Sequence, residues 1–285
     1  MKQLITFLPS LLFGLITYVR NKLYDWGILP STSFDKPRIL VVGNLSVGGT
    51  GKSPLVTYLV QNWRGDDRLG ILSRGYGRKT KGYLDVQMDS TAEEVGDEPL
   101  AYKTLFPELP VVVCENRVKG VQQMPEVDVL LLDDAFQHRS IKGAINLVCS
   151  TFSQPFYTDS MLPQGRLRES AKGIKRADAV IVTRCPSILT KEQKSNFAQG
   201  VLRNTKEEKP IFYTSVRYGK PQGPREYLPS KWSLFAGIAD PKPFFTYAAS
   251  IGQIQEEVVY SDHHRFTEIE LLELEQQAKM MAGDE

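Results

Sequence analysis

Five residues early in the chain have the types and spacing that bind the phosphates of a nucleotide. Gly48, Gly49 and Gly51 lie in a short turn, and Lys52 and Ser53 follow directly. Glycines allow backbone N–H groups to close around phosphate oxygens, and the N-terminus of a following helix adds a favourable dipole. The lysine would reach the β- and γ-phosphates, and the serine hydroxyl is a typical ligand of Mg²⁺. The pattern therefore predicts a binding site for ATP with Mg²⁺.

A strand and a helix must hold this turn, and the sequence contains both in the required order. Residues 39–42 form a short run that is apolar on both faces, typical of a buried parallel strand, and apolar residues recur with helical spacing over residues 55–60. The usual pattern has glycine at the position of Ser46, so an ordinary βα turn is the alternative interpretation. We predict that the nucleotide contacts the whole turn: Val47, Gly48, Gly49, Thr50, Gly51, Lys52, Ser53 and Pro54.

An acidic motif follows another apolar run. Residues 129–132 are apolar, and Asp133 and Asp134 come directly after them. In nucleotide-hydrolysing folds, a carboxylate at the end of such a strand holds Mg²⁺ directly or through water. We therefore predict that Ser53, Asp133 and Asp134 hold the ion, with Asp133 nearer to it. An acidic strand-to-loop turn is the alternative.

Further apolar runs alternate with helical segments and predict the fold. An α/β fold follows, with a mostly parallel sheet and flanking helices of the phosphate-loop NTPase type. Glycine, proline and lysine gather at residues 219–224, which predicts a linker. The predicted phosphate-loop core covers residues 26–217, and a smaller α/β lobe covers residues 218–285. The other predicted strands of the core are at residues 69–73, 111–113, 144–149, 179–183 and 211–216.

Residues 1–25 form a predicted helix at the membrane surface. The apolar part, residues 4–19, would extend about 24 Å at ~1.5 Å per residue, less than a ~30 Å hydrocarbon core. Basic residues flank it, which suits a helix lying on anionic lipid. A helix packed on the protein's own surface is the alternative. Its less apolar positions recur every three or four residues and form a weak polar stripe: Gln3, Thr6, Ser10, Gly14, Thr17 and Asn21.

Composition excludes several other classes of protein. The 285 residues, 41% of them hydrophobic, are enough for two domains, and a net charge of +2 does not support binding to nucleic acid. Three cysteines stand far apart, which indicates reduced thiols in a cytosol rather than disulfides or a zinc site. No nucleic acid and no protein partner is inferred.

Two basic loops are candidates for binding phosphate. Arg74 and Arg78 lie in one, and Arg166 and Arg168 in the other. A guanidinium offers two parallel N–H groups to a phosphate, so each arginine suits this role. For Arg78 and Arg166, a solvated surface charge is the open alternative.

Proton transfer has two kinds of candidate. Asp97 follows Gly96 at the start of a predicted helix, where the helix dipole keeps a carboxylate ionised. A helix cap is the alternative role for this residue. The histidines His138, His263 and His264 lie in loops that follow predicted strands, a placement suited to proton handling.

Together these motifs resemble the family of tetraacyldisaccharide 4′-kinases of lipid A synthesis. The resemblance implies a two-lobed α/β kinase that uses ATP and Mg²⁺ on the cytoplasmic face of the bacterial inner membrane. Its implied substrate is a tetraacyldisaccharide 1-phosphate, phosphorylated on the 4′-hydroxyl to give lipid IVA. The family's loop also carries a hydroxyl residue where Ser46 stands. The motifs run in the family's order over residues 43–54, 73–77, 95–99, 132–138, 167–169 and 262–264.

The resemblance assigns roles to particular residues. The family's catalytic aspartate and histidine fall at Asp97 and His263, and Lys52 acts with them. Within the same motifs, we predict that the lipid substrate contacts Arg74, Glu98, His138 and Arg168. The family usually continues beyond the last residue of this chain, so we expect a fragment or a short second lobe.

Two other functions fit the same phosphate loop. One is a membrane-associated ATPase switch without a lipid substrate. Proteins of that kind have lysine before the double glycine, and the valine at position 47 counts against it. The other is a nucleotide-binding module without catalysis. ATP turnover that depends on a lipid disaccharide separates the three.

Overall fold

The computed structural model describes residues 2–221, 231–238, 240–262, 264 and 266–282. The chain divides into two compact units, Met1–Val216 and Arg217–Glu285. The division into three parts, with boundaries after residues 25 and 217, stays a prediction. Residues 222–224, half of the predicted linker at residues 219–224, lie outside the described residues.

An eight-stranded sheet forms the centre of the first unit, with strand order β3-β4-β2-β5-β1-β6-β7-β8. Every neighbouring pair is parallel except β3 with β4. The two-residue β3 has no apolar run to predict it, and β8 ends before residue 216 of its predicted range. The strands are β1 (Arg38–Asn44), β2 (Leu69–Ser73), β3 (Leu84–Asp85), β4 (Val111–Val113), β5 (Val129–Asp133), β6 (Ile145–Thr151), β7 (Ala179–Thr183) and β8 (Ile211–Tyr213).

The central strands are apolar on both faces because each face packs against its own hydrophobic cluster. In β5, Leu130 and Leu132 belong to one cluster and Leu131 to the other, as the period of two requires. The predicted mostly parallel α/β fold is therefore confirmed. The helices of this unit are α1 (Lys2–Asp25), α2 (Lys52–Gln61), α3 (Ala92–Val95), α4 (Asp97–Leu105), α5 (Arg117–Gln123) and α6 (Lys191–Thr205).

The sheet brings the two phosphate-related motifs side by side. β1 and β5 are parallel neighbours, with Val42 opposite Asp133. The glycine-rich turn follows β1, and the acidic pair ends β5, so both motifs lie at the carboxyl edge of the sheet. Open α/β sheets bind their ligands outside this edge.

Helix α1 turns its polar stripe toward the first unit. Ser10 Oγ donates a hydrogen bond to the Met161 carbonyl at 2.8 Å, and Thr17 is buried. Packing on the protein's own surface, the alternative interpretation, is thus what the structure shows for the polar face. No helix in the described part of the chain is long and apolar enough to cross a membrane. The opposite face of α1 is exposed and apolar, with Phe7, Leu8, Leu11, Leu12, Leu15 and Ile16.

The second unit has a parallel strand pair with a helix between the strands. Strands β9 (Lys231–Ala236) and β10 (Gln253–Val259) pair in parallel, α7 (Lys242–Ile251) connects them, and α8 (Glu268–Ala282) follows. Its small core packs α7 against the strands with Leu234, Ala236, Phe245 and Ala248.

Candidate active site

The phosphate loop, residues 45–51 between β1 and α2, has a backbone that only glycine adopts easily. Gly48 and Gly51 have φ angles of 97° and 80°, where a side chain would be strained. The backbone N–H groups of Gly48, Gly49 and Gly51 donate to no residue that the structure describes. They lie at the N-terminus of α2, so the loop suits a phosphate anion.

Polar residues at two strand ends hold the loop. Asn44 Nδ2 donates to Thr50 Oγ1 at 2.7 Å, and Thr183 Oγ1 donates to the Thr50 carbonyl at 2.9 Å. The Val47 N–H donates to the Arg166 carbonyl at 2.8 Å. The sequence analysis did not single out Asn44 and Thr183. The sequence did contain a pattern that could have identified them, since each is the polar last residue of an apolar strand, at the edge of the sheet that binds ligands.

The predicted lysine reaches the acidic motif. Lys52 Nζ lies 3.7 Å from Asp134 Oδ1, and the lysine side chain is only 9% exposed. Arg168 Nη1 donates to both oxygens of Asp134 at 2.8 and 2.9 Å. Burial would raise the pKa of Asp134, but Lys52 and Arg168 hold it below its usual range. Arg168, predicted as a substrate contact, is therefore engaged with the acidic motif.

One carboxylate oxygen of Asp133 is buried and could bind a cation. The side chain is 0% exposed, Oδ2 accepts from the Tyr102 hydroxyl at 3.2 Å, and Oδ1 has no partner among the described residues. Burial, together with the Glu98 and Asp134 carboxylates, raises the pKa of Asp133 to about 7. A carboxylate in this environment fits a bound cation, which would favour the ionised form.

The side-chain oxygens of Ser53 and Asp133 are of the kind that Mg²⁺ binds. The Ser53 hydroxyl donates to Glu98 Oε1 at 2.6 Å, so this predicted ligand lies beside a second carboxylate. Within the described residues, no group of three or more histidine, cysteine, aspartate or glutamate side chains is arranged to hold a metal. Mg²⁺ is typically bound by one or two carboxylates, water and substrate phosphates rather than by a complete protein cage. The contact also places Glu98, predicted to touch the lipid substrate, next to a predicted metal ligand.

A buried arginine donates a hydrogen bond to the backbone of the acidic motif. Arg117 is 1% exposed and donates to the Cys114 carbonyl at 2.5 Å and the Asp133 carbonyl at 3.1 Å. Burial lowers its pKa to about 10. The sequence analysis missed Arg117, because a single arginine in a short helical segment carries no pattern of its own.

Asp97 lines a cavity that is also lined by the predicted metal ligand Ser53. A cavity of about 460 Å³ between α2 and α4 is lined by Ser53, Asp97 and Glu98 among other residues. Gly96 occupies the N-cap position, and Asp97 is the first residue of α4, where the dipole favours a carboxylate. His263 lies outside the described residues, so its pairing with Asp97 stays a prediction.

Two of the four candidate arginines form ion pairs with acidic residues other than Asp133 and Asp134. Arg78 pairs with Glu115 at 2.9 Å with its side chain 3% exposed, so it is not a solvated surface charge. Arg166 pairs with Asp159 at 2.8 Å. Arg74, by contrast, is exposed.

The environment of His138 favours the neutral imidazole. Burial, with the positive charges of Arg117, Arg74 and Arg20, lowers its pKa to about 4. A neutral imidazole offers one hydrogen-bond donor and one acceptor, which suits contact with a polar substrate.

This pKa predicts how stability depends on pH. The folded-state pKa of about 4 lies below the ordinary value of 6.5, so the unfolded chain binds the extra proton between these values. His138 therefore contributes stability that is lost as pH falls through this window, roughly 2 kcal/mol between pH 7 and pH 5. The variant His138→Gln should lose less unfolding free energy than the wild type on this acidification. Denaturant titrations of both proteins at the two pH values measure the difference. Equal losses would contradict a buried neutral histidine.

Comparison with known proteins supports the resemblance seen in the motifs. The family model described as tetraacyldisaccharide-1-P 4′-kinase matches residues 3–283. The tetraacyldisaccharide 4′-kinase of Flavobacterium johnsoniae is 39% identical over 280 residues, covering 94% of this chain and 81% of that protein. The protein of the same name from Cytophaga hutchinsonii is 40% identical over 268 residues, covering 90% of this chain and 75% of that protein.

A solved structure agrees with these relatives. LpxK from Aquifex aeolicus, crystallised in complex with ATP, is 31% identical with a TM-score of 0.71. The match covers 94% of this chain and 85% of the Aquifex chain. The family model matches nearly the whole length of the chain, in agreement with the motifs and the parallel sheet. The chain therefore belongs to the tetraacyldisaccharide 4′-kinase family.

Proposed function

We propose that this chain transfers the γ-phosphoryl group of ATP to the 4′-hydroxyl of a tetraacyldisaccharide 1-phosphate, forming lipid IVA in lipid A synthesis. The observation that carries the proposal is the contact between Lys52 and Asp134, 3.7 Å apart. It lies beside a phosphate loop in which the N–H groups of Gly48, Gly49 and Gly51 donate to no residue that the structure describes. Family membership adds the identity of the acceptor. The structure of Aquifex LpxK in complex with ATP supports ATP as the phosphoryl donor.

The nucleotide side of the reaction depends on positioning and charge. The phosphate loop holds the β- and γ-phosphates through its N–H groups, and Lys52 neutralises charge that develops on the transferring group. Ser53 and Asp133 would hold Mg²⁺, and the bound ion supplies further charge neutralisation. Asp134 keeps Lys52 in place and is in turn held by Arg168.

The acceptor side needs a proton acceptor and binding contacts. The 4′-oxygen forms a bond to the γ-phosphorus while the bond between that phosphorus and the bridging oxygen of ADP breaks, so that ADP leaves. The hydroxyl proton passes to the Asp97 carboxylate, aided by His263. Arg74 and His138 contact the acceptor. Arg168 and Glu98 lie beside the nucleotide, where Arg168 holds Asp134 and Glu98 accepts from the Ser53 hydroxyl. The exposed guanidinium of Arg74 supports a role in reading phosphate.

The direct test of this function is acceptor-dependent phosphorylation. The purified chain is incubated in mixed micelles with γ-labelled ATP, Mg²⁺ and a tetraacyldisaccharide 1-phosphate. We expect label in a bisphosphorylated lipid and ATP consumption only when the acceptor is present. ATP hydrolysis without lipid would instead identify a switch ATPase, and nucleotide binding without turnover would identify a binding module.

We further infer that α1 docks the enzyme on the cytoplasmic surface of the bacterial inner membrane. Its apolar face is exposed while its polar face is hydrogen-bonded to the first unit. An exposed apolar helix face of this kind supports insertion into the headgroup region rather than across the bilayer.

Two substitutions on this face test the docking. The pair Leu8→Ser and Leu12→Ser changes only residues that are exposed in the free protein. Because burying a leucine side chain is worth about 1.5–3 kcal/mol, we expect affinity for anionic vesicles to fall at least about tenfold. The matched control is Leu202→Ser, an exposed leucine on α6. Vesicle sedimentation measures both, and equal binding by the double variant and the control would contradict docking through α1. Alkaline carbonate should also extract the full-length chain.

A further inference from the structure

Glu169 is a buried carboxylate that joins several elements of the first unit. It is 2% exposed, and Arg176 donates to its two oxygens at 2.8 and 2.9 Å. Gln137 Nε2 donates to Oε1 at 3.0 Å and Asn21 Nδ2 to Oε2 at 2.8 Å. A Cβ on Gly173 would lie 2.7 Å from Oε2, so this close approach needs glycine. A buried charge is tolerated only with such complete pairing, which fixes its partners in place.

From this carboxylate, hydrogen bonds lead to the phosphate loop. Gln137 Nε2 also donates to the Asn44 carbonyl at 2.8 Å, and Asn44 Nδ2 donates to Thr50 Oγ1 at 2.7 Å. The residue before Glu169 in the chain, Arg168, is the one that pairs with Asp134. The position of the carboxylate is therefore tied to both halves of the nucleotide site.

In the other direction, the contacts lead to the last turns of α1. Arg20 donates to the Gln137 carbonyl, and Arg139 Nη1 donates to the Asn21 carbonyl at 2.7 Å. Arg139 Nη2 also pairs with Asp25 Oδ1 at 2.8 Å. The loop at residues 134–139, which begins with the second residue of the acidic motif, is thus held by α1. The other face of α1 is exposed and apolar.

We propose that Glu169 is a positioning residue that links α1 to the phosphate-binding loops, so that the docking helix is also a support of the kinase site. This inference rests on the proposed function. The acceptor is a lipid, so its hydroxyl is presented at a lipid surface. A rigid connection from α1 to the loops at residues 44–50 and 134–139 holds the nucleotide at a constant depth and angle relative to that surface. Small errors in such alignment cost much of the rate.

Asn21→Ala tests the link with little change elsewhere. It removes one donor to Glu169 and leaves the pair with Arg176, the phosphate loop and the apolar face of α1 intact. Because a misplacement of about 1 Å remote from the chemistry can cost on the order of 10²-fold in rate, we expect the smaller displacement here to lower kcat in mixed micelles roughly tenfold. The KM for ATP and the binding to anionic vesicles should stay within about twofold of wild type, because neither surface is changed. Ser10→Ala is the matched control, since it also removes one hydrogen bond between α1 and the first unit, to Met161.

A second measurement needs no activity. Amide hydrogen exchange should become faster at residues 134–139 in Asn21→Ala, stay unchanged in β5, and resemble wild type throughout this loop in Ser10→Ala. A kcat for Asn21→Ala no lower than that of Ser10→Ala overturns the proposal. So does unchanged exchange at residues 134–139. If the wild-type chain phosphorylates no lipid, the proposed function fails, and exchange alone then decides whether α1 holds the loop.

Discussion

Replacing Lys52 with alanine is expected to lower the rate of phosphoryl transfer roughly a thousandfold or more, because we propose that this buried positive charge stabilises the transferring group. Its Nζ lies 3.7 Å from Asp134 at the edge of the sheet where the phosphate loop and the acidic motif meet. Alanine retains the helix and removes only the charge and the long side chain. The protein should therefore stay folded.

The measurement compares kcat and thermal unfolding of Lys52→Ala with those of Lys191→Ala. Lys191 is a suitable control because it is also the first residue of a helix, α6, and is exposed. We expect Lys191→Ala to retain nearly all activity. Near-normal turnover in Lys52→Ala would remove the assignment of the phosphate loop.

Asp97→Asn is expected to slow turnover by roughly 10²–10⁴ while ATP binding and folding are retained, because a general base contributes a factor of this size. Asparagine has nearly the same shape as aspartate but cannot accept the proton of the sugar hydroxyl. A role limited to the helix dipole predicts a much smaller change, since a carboxylate in the first turn contributes only about 0.3–1 kcal/mol of stability. The size of the rate effect therefore separates catalysis from stabilisation of the helix start.

The partner of Asp97 is tested with two histidine variants. His263→Ala should be impaired to a similar degree, and the double variant with Asp97→Asn should be little worse than either single variant, because both changes remove one proton-accepting unit. His264→Ala is the control, since its Nε2 lies 3.1 Å from Glu270 Oε1 and its ring stacks on Tyr260. Turnover of Asp97→Asn at the wild-type rate across the pH range would show that the base lies elsewhere.

The strands and the phosphate loop were predictable because their requirements are local. A parallel strand that is covered on both faces must be apolar at every position, so β2, β4 and β7 have the predicted bounds. The phosphate loop needs glycines with positive φ and a lysine at the start of α2, and all of these lie within a few residues of one another in the sequence. The start of the short 3₁₀ helix Ala171–Arg176 is also held by a local contact, since Ser170 Oγ accepts from the Lys172 N–H.

The contacts that support the candidate site required the tertiary structure. The period of α1 shows a polar stripe, but not that the stripe faces the protein and hydrogen-bonds to Met161 and Glu169. Asp133 and Asp134 are adjacent in the chain. The first is buried at the strand end, and the second has a φ of 47° and turns to Lys52 and Arg168. Hydrogen bonds between residues more than a hundred positions apart leave no local pattern, because each partner satisfies a need that arises only once the sheet has formed.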